Sequence, residues 1–234
     1  MMNDQLSSTA PKVVSYPGLR RSGGYLGIAL PFVLVLGRFV LRQCPALQDS
    51  ISAYYHTDLR NILVGDLCAI AVFLIACKGY TTADAILGDL AGLCAVGVAF
   101  FPTNCCECPK TLISKLHATF ASFLFLLLAI FCLALFTQTD PSQAPTPEKL
   151  TRNKVYRVCG YAILVCIVLS LVTSIPFVKQ YLGWKNYLFF YESIAVLFFG
   201  GAWITKGGTI LRDKDEPRIP FFLTEDMTAR RRHQ

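Results

Sequence analysis

The chain has 234 residues, 54% of them hydrophobic and only 16% charged, with a mean hydropathy of +0.49 and a net charge of +7. That composition excludes an ordinary soluble domain. The positive surplus does not indicate a nucleic-acid partner either, because it is divided between loops in the way that membrane topology requires.

Stretches of about 20 mostly apolar residues mark membrane-spanning helices. Six occur, at roughly 23–42, 60–79, 84–102, 112–136, 156–176 and 186–206. The expectation is an all-α polytopic membrane protein with a flexible tail over 1–17, one six-helix bundle over 18–210 and a C-terminal tail over 211–234. Arg20 and Arg21 precede the first stretch, as in a signal peptide, but the apolar run is too long, carries Arg38 and lacks a small-residue cleavage pattern. It reads as a retained first helix, kinked at Pro31.

Between the first two stretches lies 43–59, with the run Ser50-Ile51-Ser52-Ala53-Tyr54-Tyr55-His56-Thr57. Thr57 or Asp58 is expected to cap the second helix. A short link makes helices two and three a hairpin, and Gly88 and Gly92 allow their backbones a close approach. The loop after helix three reads Phe101-Pro102-Thr103-Asn104-Cys105-Cys106-Glu107-Cys108-Pro109. The connection 137–155 is rich in Pro, Ser, Gln and Thr and is expected to be irregular.

Six crossings put both termini on one side together with the 2–3 and 4–5 connections. That side holds 15 of the 22 Lys and Arg residues and the other side 7. The positive-inside rule then makes both termini cytoplasmic, in a bacterial inner membrane, with affinity for anionic headgroups.

Asp66, His117 and Glu192 each fall inside an apolar stretch, about 10, 8 and 9 Å from the predicted outer end at 1.5 Å per residue. Ionisable groups in hydrocarbon face a protein interior or a wet cavity. Either the three share one outward-facing pocket or each is satisfied separately. In the first case Asp66 is the main acid, with Glu192 and His117 as partners. Ser52, Tyr55 and His56 would roof the pocket, Tyr191 and Tyr187 would line it, and Arg60 would hold a carboxylate or phosphate, or else act as an interfacial anchor. Asp89 is a deeper relay or a packing residue, and Lys115 snorkels outward.

Six of the ten cysteines lie within spans, while Cys44, Cys105, Cys106 and Cys108 fall on the outer side. There a disulfide from Cys44 to one of the other three is expected, with free thiols or a metal as alternatives. Cys-Cys-Glu-Cys is not a zinc spacing.

The pattern Ser52-Ala-Tyr-Tyr-His-Thr, followed by Arg60-Asn61 and Val64-Gly65-Asp66, resembles a group of uncharacterised bacterial multi-pass membrane proteins. So do Phe101-Pro102-Thr103, Tyr156-Arg157 and Tyr191-Glu192. The resemblance implies six helices in the inner membrane and no known activity. A weaker likeness, in Ser52, His56 and Asp66, is to alkaline ceramidase and adiponectin-receptor type hydrolases, which implies an intramembrane zinc. Here the late paired histidines are missing, so His56, His117 and a carboxylate would have to hold it. Three functions follow: a non-enzymatic membrane component or binding protein for a small molecule or lipid headgroup, a proton-coupled transporter of a small solute, and a zinc-dependent lipid hydrolase. A partner subunit or an oligomer is compatible with each.

Overall fold

The computed structural model describes residues 13–41, 47–77, 81–104, 111–139, 144–183, 185–212 and 222–223. Among these residues seven α-helices carry the chain back and forth: α1 (Tyr16–Leu41), α2 (Arg60–Ala76), α3 (Thr82–Phe100), α4 (Leu112–Ile130), α5 (Pro147–Thr173), α6 (Pro176–Leu182) and α7 (Tyr187–Lys206). Two short strands, β1 (Val13–Val14) and β2 (Phe222–Leu223), pair antiparallel within the segments expected to be tails.

Among the described residues five helices are long and apolar enough to cross a membrane: α1, α3, α4 with its continuation to Leu135, α5 and α7. The second predicted stretch is also an apolar helix, but at 17 residues α2 is shorter than the others. Helix α1 starts seven residues before its apolar run because Ser15 caps it, its Oγ accepting from the Gly18 N–H at 3.1 Å. Helix α5 starts nine residues before its run. There Thr146 accepts from the Lys149 N–H at 3.1 Å, and Pro147 occupies the first turn, where its missing N–H is not needed.

Helix α2 is capped differently from expectation. Leu59 stands at its N-cap without a side-chain bond, so neither Thr57 nor Asp58 holds that position. Thr57 instead supports the turn before it, accepting from the Leu59 N–H at 3.2 Å and donating to the Tyr54 carbonyl at 2.8 Å. By contrast, Thr81 with Asp84 and Thr111 with Ser114 form reciprocal capping boxes at the starts of α3 and α4.

Glycines decide which helices lie side by side. A Cβ on Gly24 would stand 2.8 Å from the Gly200 carbonyl oxygen, and one on Gly200 would stand 2.7 Å from that of Gly24. The α1 and α7 backbones therefore touch, as small-residue interfaces in membranes allow. On α3, Gly88 meets the Leu74 carbonyl and Gly92 the Ile75 side chain, which closes the α2–α3 hairpin. Gly97 takes the face of the Phe120 ring, which also stacks on Phe101 at 5.5 Å. Gly160 of α5 receives Leu133 of α4.

These contacts make successive long helices antiparallel. The end holding Arg20, Cys77, Asp84, Phe136, Lys149 and Lys206 is called proximal; the end holding the 3₁₀ turn Ser52–His56, Thr103 and Glu192 is called distal. Near the proximal end α4 passes into a π-helical turn, Phe131–Leu135. There Phe131, Phe136 and Phe199 cluster around Trp203, with ring centroids 5.2–6.5 Å from the indole.

Candidate functional site

Helix α4 packs on α3 and α5, while α7 packs on α1 and α5, so α4 and α7 barely meet at the distal end. Small residues hold that gap open: Ala118, Ala121 and Ser122 on α4, and Ala195 on α7. The result is a cavity of about 260 Å³ lined by α4, α5 and α7 and closed at the top by Ser50, Ser52 and Thr103. Its lining falls on regular helical stripes. Positions 118, 121, 122 and 125 serve on α4, 166, 167, 170, 171 and 174 on α5, and 188, 191, 192 and 195 on α7.

Of the residues singled out from sequence, Ser52, His117, Tyr191 and Glu192 line this cavity. Glu192 accepts from the Ile51 N–H at 2.7 Å, and the Ser52 N–H bonds it as well. It thereby fills the role of an N-cap for the 3₁₀ turn, from a helix 141 residues away in the chain. Further bonds attach the segment before the turn to the start of α7. Asn186 Nδ2 donates to the Leu47 and Gln48 carbonyls at 2.7 and 3.1 Å, and the Phe189 N–H donates to the Asp49 carbonyl at 2.9 Å. Tyr54, fully buried against Phe189, anchors the turn from below. The roof is a pinned element.

His117 is buried, with Nδ1 2.6 Å from the Phe101 carbonyl oxygen. A carbonyl can only accept, so Nδ1 carries the proton and Nε2 is left with a lone pair when the ring is neutral. His56 spends Nε2 on the Thr103 carbonyl at 2.8 Å, and its side chain is exposed. Both imidazoles therefore hold the backbone where α3 ends.

Asp66 is placed elsewhere. It faces neither this cavity nor the smaller one beside it, and its buried Oδ2 has no hydrogen-bond partner among the described residues. It lies on α2 between Leu59 and Phe73, the residues that meet Gly37 and Gly23 of α1, so its side of the helix is the α1 side. Tyr55, His56 and Arg60 also lie outside the cavity. Arg60 donates to the Tyr55 hydroxyl at 2.5 Å and covers its ring at 4.3 Å, making a pair at the distal surface. Asp89 and Lys115 are exposed. Tyr187 is buried against Tyr191 but does not line the cavity. Cys44, Cys105, Cys106 and Cys108 lie outside the described residues. Among those described, no group of three His, Cys, Asp or Glu side chains is arranged to hold a metal ion.

The structure adds Ser122, Ser170 and Ser174, none of them evident as site residues from sequence. Each donates to the carbonyl four residues earlier in its own helix, at 2.8, 2.8 and 2.6 Å. Such back-bonding uses the hydroxyl proton and leaves the oxygen lone pairs free. The signal was present as a run of small or polar residues at four-residue spacing, Cys166, Ser170 and Ser174. Combined with Glu192 and the His117 Nε2, these oxygens offer acceptors to the cavity, while the hydroxyls of Ser52 and Thr103 can donate as well as accept. Phe125, Ile167, Leu171, Leu188 and Ala195 supply an apolar remainder.

A smaller void of about 50 Å³ lies next to this cavity, toward the bundle centre, and shares Ser52, Ala121, Phe125 and Glu192 as wall residues. Ala118, Ser122, Leu171 and Ser174 line the larger cavity and are themselves exposed, so it opens sideways between α4 and α5. Comparisons with protein-family models, with curated proteins and with solved structures find no match to this chain.

Proposed function

We propose that this chain is a six-span inner-membrane protein, with α2 as the short sixth span and both termini cytoplasmic. It binds an amphiphilic small molecule in the distal cavity without chemical change. On this reading the chain is a member of the bacterial six-helix group that its Ser52–Asp66 segment resembles. The lysine and arginine asymmetry supports the orientation, and 17 helical residues, about 25 Å, suffice for a thin or locally adapted bilayer.

The observation that carries the proposal is the sideways mouth between α4 and α5 on a cavity with one polar and one apolar part. In a bilayer such a mouth faces acyl chains. A ligand can then enter from the membrane, its chain lying along Phe125, Ile167 and Leu171 and its head beside Glu192, His117 and the serines. Glu192, the His117 Nε2 and the back-bonded serines accept, so a head that donates hydrogen bonds suits them best, as an alkyl amine or a hydroxylated lipid does.

The test is calorimetric titration of the purified protein in detergent with dodecylamine, monolaurin and laurate. The amine and the monoacylglycerol should bind and the carboxylate, lacking a donor at neutral pH, should not. Ala121→Phe, which fills the cavity, should abolish binding while the protein still unfolds cooperatively. Equal binding of all three amphiphiles, or undiminished binding by Ala121→Phe, would overturn the reading.

Transport is favoured by one specific feature. The distal cavity, the central void and the aromatic cluster around Trp203 follow one another from the distal toward the proximal end. A passage along that line would require Phe125 and the Trp203 cluster to move. Uptake of dodecylamine into proteoliposomes, driven by a proton gradient, would select transport over binding alone.

A further inference from the structure

The connection between α5 and α7 carries an apolar face that the bundle leaves uncovered. Helix α5 stops at Thr173 because Pro176 follows. A proline has no N–H to continue the ladder, and it forces the residue before it out of helical geometry. Ile175 is accordingly extended, at ψ 127°, and the chain leaves α5 and starts α6, with Pro176 in its first turn. Gly183 closes α6 at φ 59°, a left-handed conformation that suits glycine, and its N–H donates to the Lys179 carbonyl at 3.3 Å. Asn186 then fixes the start of α7 through its bonds to Leu47 and Gln48.

At about 100° per residue, Phe177 and Tyr181 share one side of α6 and Lys179 stands on the opposite side. Val178, on the flank next to Tyr181, is half-buried. Phe177 is 77% exposed and Tyr181 85%, and Ile175 just before them is also exposed. Aromatic rings one turn apart therefore project from the bundle, while the cation points the other way.

What covers the rings follows from the chain on either side. Residues 174–186 join α5 to α7, both long and apolar enough to cross a bilayer, at the distal end of the bundle. So short a link, held at both ends, keeps α6 at that membrane surface. A helix with an aromatic side and a cationic side suits the boundary between acyl chains and headgroups. Aromatic side chains concentrate in that layer, and a lysine on the far side reaches water along its stem.

We propose that α6 is an interfacial helix whose partner is lipid. Phe177 and Tyr181 insert at the headgroup–acyl boundary of the distal leaflet, and Lys179 turns toward the aqueous side. Leu171 and Ser174, on the rim of the distal cavity's mouth, shortly precede α6 in the chain, so the helix holds that mouth at headgroup depth. The proposal rests on the membrane-spanning reading above and needs no particular ligand in the cavity.

Bromine on a lipid chain quenches tryptophan on contact and so reads depth. Trp184 and Trp203 are the two tryptophans of the chain. Trp184→Phe removes one, and Trp203, 2% exposed inside the bundle, leaves a constant background that lipid does not touch. Reporters are added singly to the full-length protein in that background: Tyr181→Trp on α6, and Leu93→Trp on the exposed side of α3 near its middle. Each is reconstituted in phosphatidylcholine vesicles brominated near the headgroup or at mid-chain. After the background is subtracted, Tyr181→Trp should be quenched about twofold more by bromine near the headgroup than at mid-chain, and Leu93→Trp the reverse. If Tyr181→Trp does not fold, Phe177→Trp reads the same side of α6 and decides. Quenching of Leu93→Trp alone, or strongest mid-chain quenching of the α6 reporter, overturns the interfacial assignment and leaves the spans in place. No quenching at either position overturns the membrane-spanning reading and this proposal with it.

Discussion

Replacing Glu192 by alanine should release the roof of the distal cavity without dismantling the bundle. The carboxylate accepts from the Ile51 N–H at 2.7 Å and from the Ser52 N–H, and Ile51 is 5% exposed. A hydrogen bond to a charged group contributes about 1.5–3 kcal/mol, and a buried donor left unpaired costs a similar amount. Ser52 borders the cavity, where water can replace the carboxylate. Ile51 has no such recourse, so the local loss is about 2–3 kcal/mol, the orphaned Ile51 donor dominating. The bonds from Asn186 and Phe189 to residues 47–49 remain and keep the segment attached. Amide exchange at Ile51 and Ser52 should therefore accelerate roughly 30- to 150-fold, while exchange in the buried turns of α7 stays slow. Glu192→Gln retains an acceptor oxygen and should accelerate exchange only about fivefold, a loss of about 1 kcal/mol. Hydrogen–deuterium exchange with mass spectrometry on peptides covering 47–57 measures both variants. Wild-type exchange rates in Glu192→Ala would refute the assignment of Glu192 as the cap of the 3₁₀ turn.

Gly24→Val should lower stability by about 3 kcal/mol, because the new side chain meets a backbone oxygen that cannot swing aside; Gly201→Ala, with open space around it, should be neutral or slightly stabilising. Thermal melts in detergent compare the two, and equal effects would dissolve the argument for an α1–α7 backbone contact. His117→Ala should cost about 1–3 kcal/mol by orphaning the Phe101 carbonyl and opening a void, read from a denaturant titration in mixed micelles; an unchanged midpoint would count against its role in tying α4 to α3. Asp66→Asn should leave amphiphile binding intact and hold or raise the melting temperature, since it replaces a carboxylate whose buried Oδ2 has no partner among the described residues by a neutral group that is less costly to bury. Loss of binding in that variant would place Asp66 in the site after all.

The helical class and most of the apolar stretches are legible from composition, because a bilayer accepts little else than long apolar helices. The early starts of α1 and α5 were less so. Hydropathy falls off before Ser15 and Thr146 supply their caps, and the cap, not the hydrophobic run, sets the first turn. The proximity of the Ser52–His56 turn to α7 was equally hidden, since it rests on bonds from Glu192 and Asn186 to residues 138–141 positions away.

Depth along the membrane normal follows from counting residues, because each adds a constant rise. Counting put Asp66, His117 and Glu192 at one level. Rotation about each helix axis, and the order of helices around the bundle, follow from which small residues let two backbones touch. The contacts of Gly23 and Gly37 with Phe73 and Leu59 turn Asp66 toward α1, while the gap between α4 and α7 admits His117 and Glu192 to a common cavity. Residue count fixes how far along its helix each ionisable group lies; packing decided which way it faces, since steric fit between helices is a property of pairs and is written in neither partner separately.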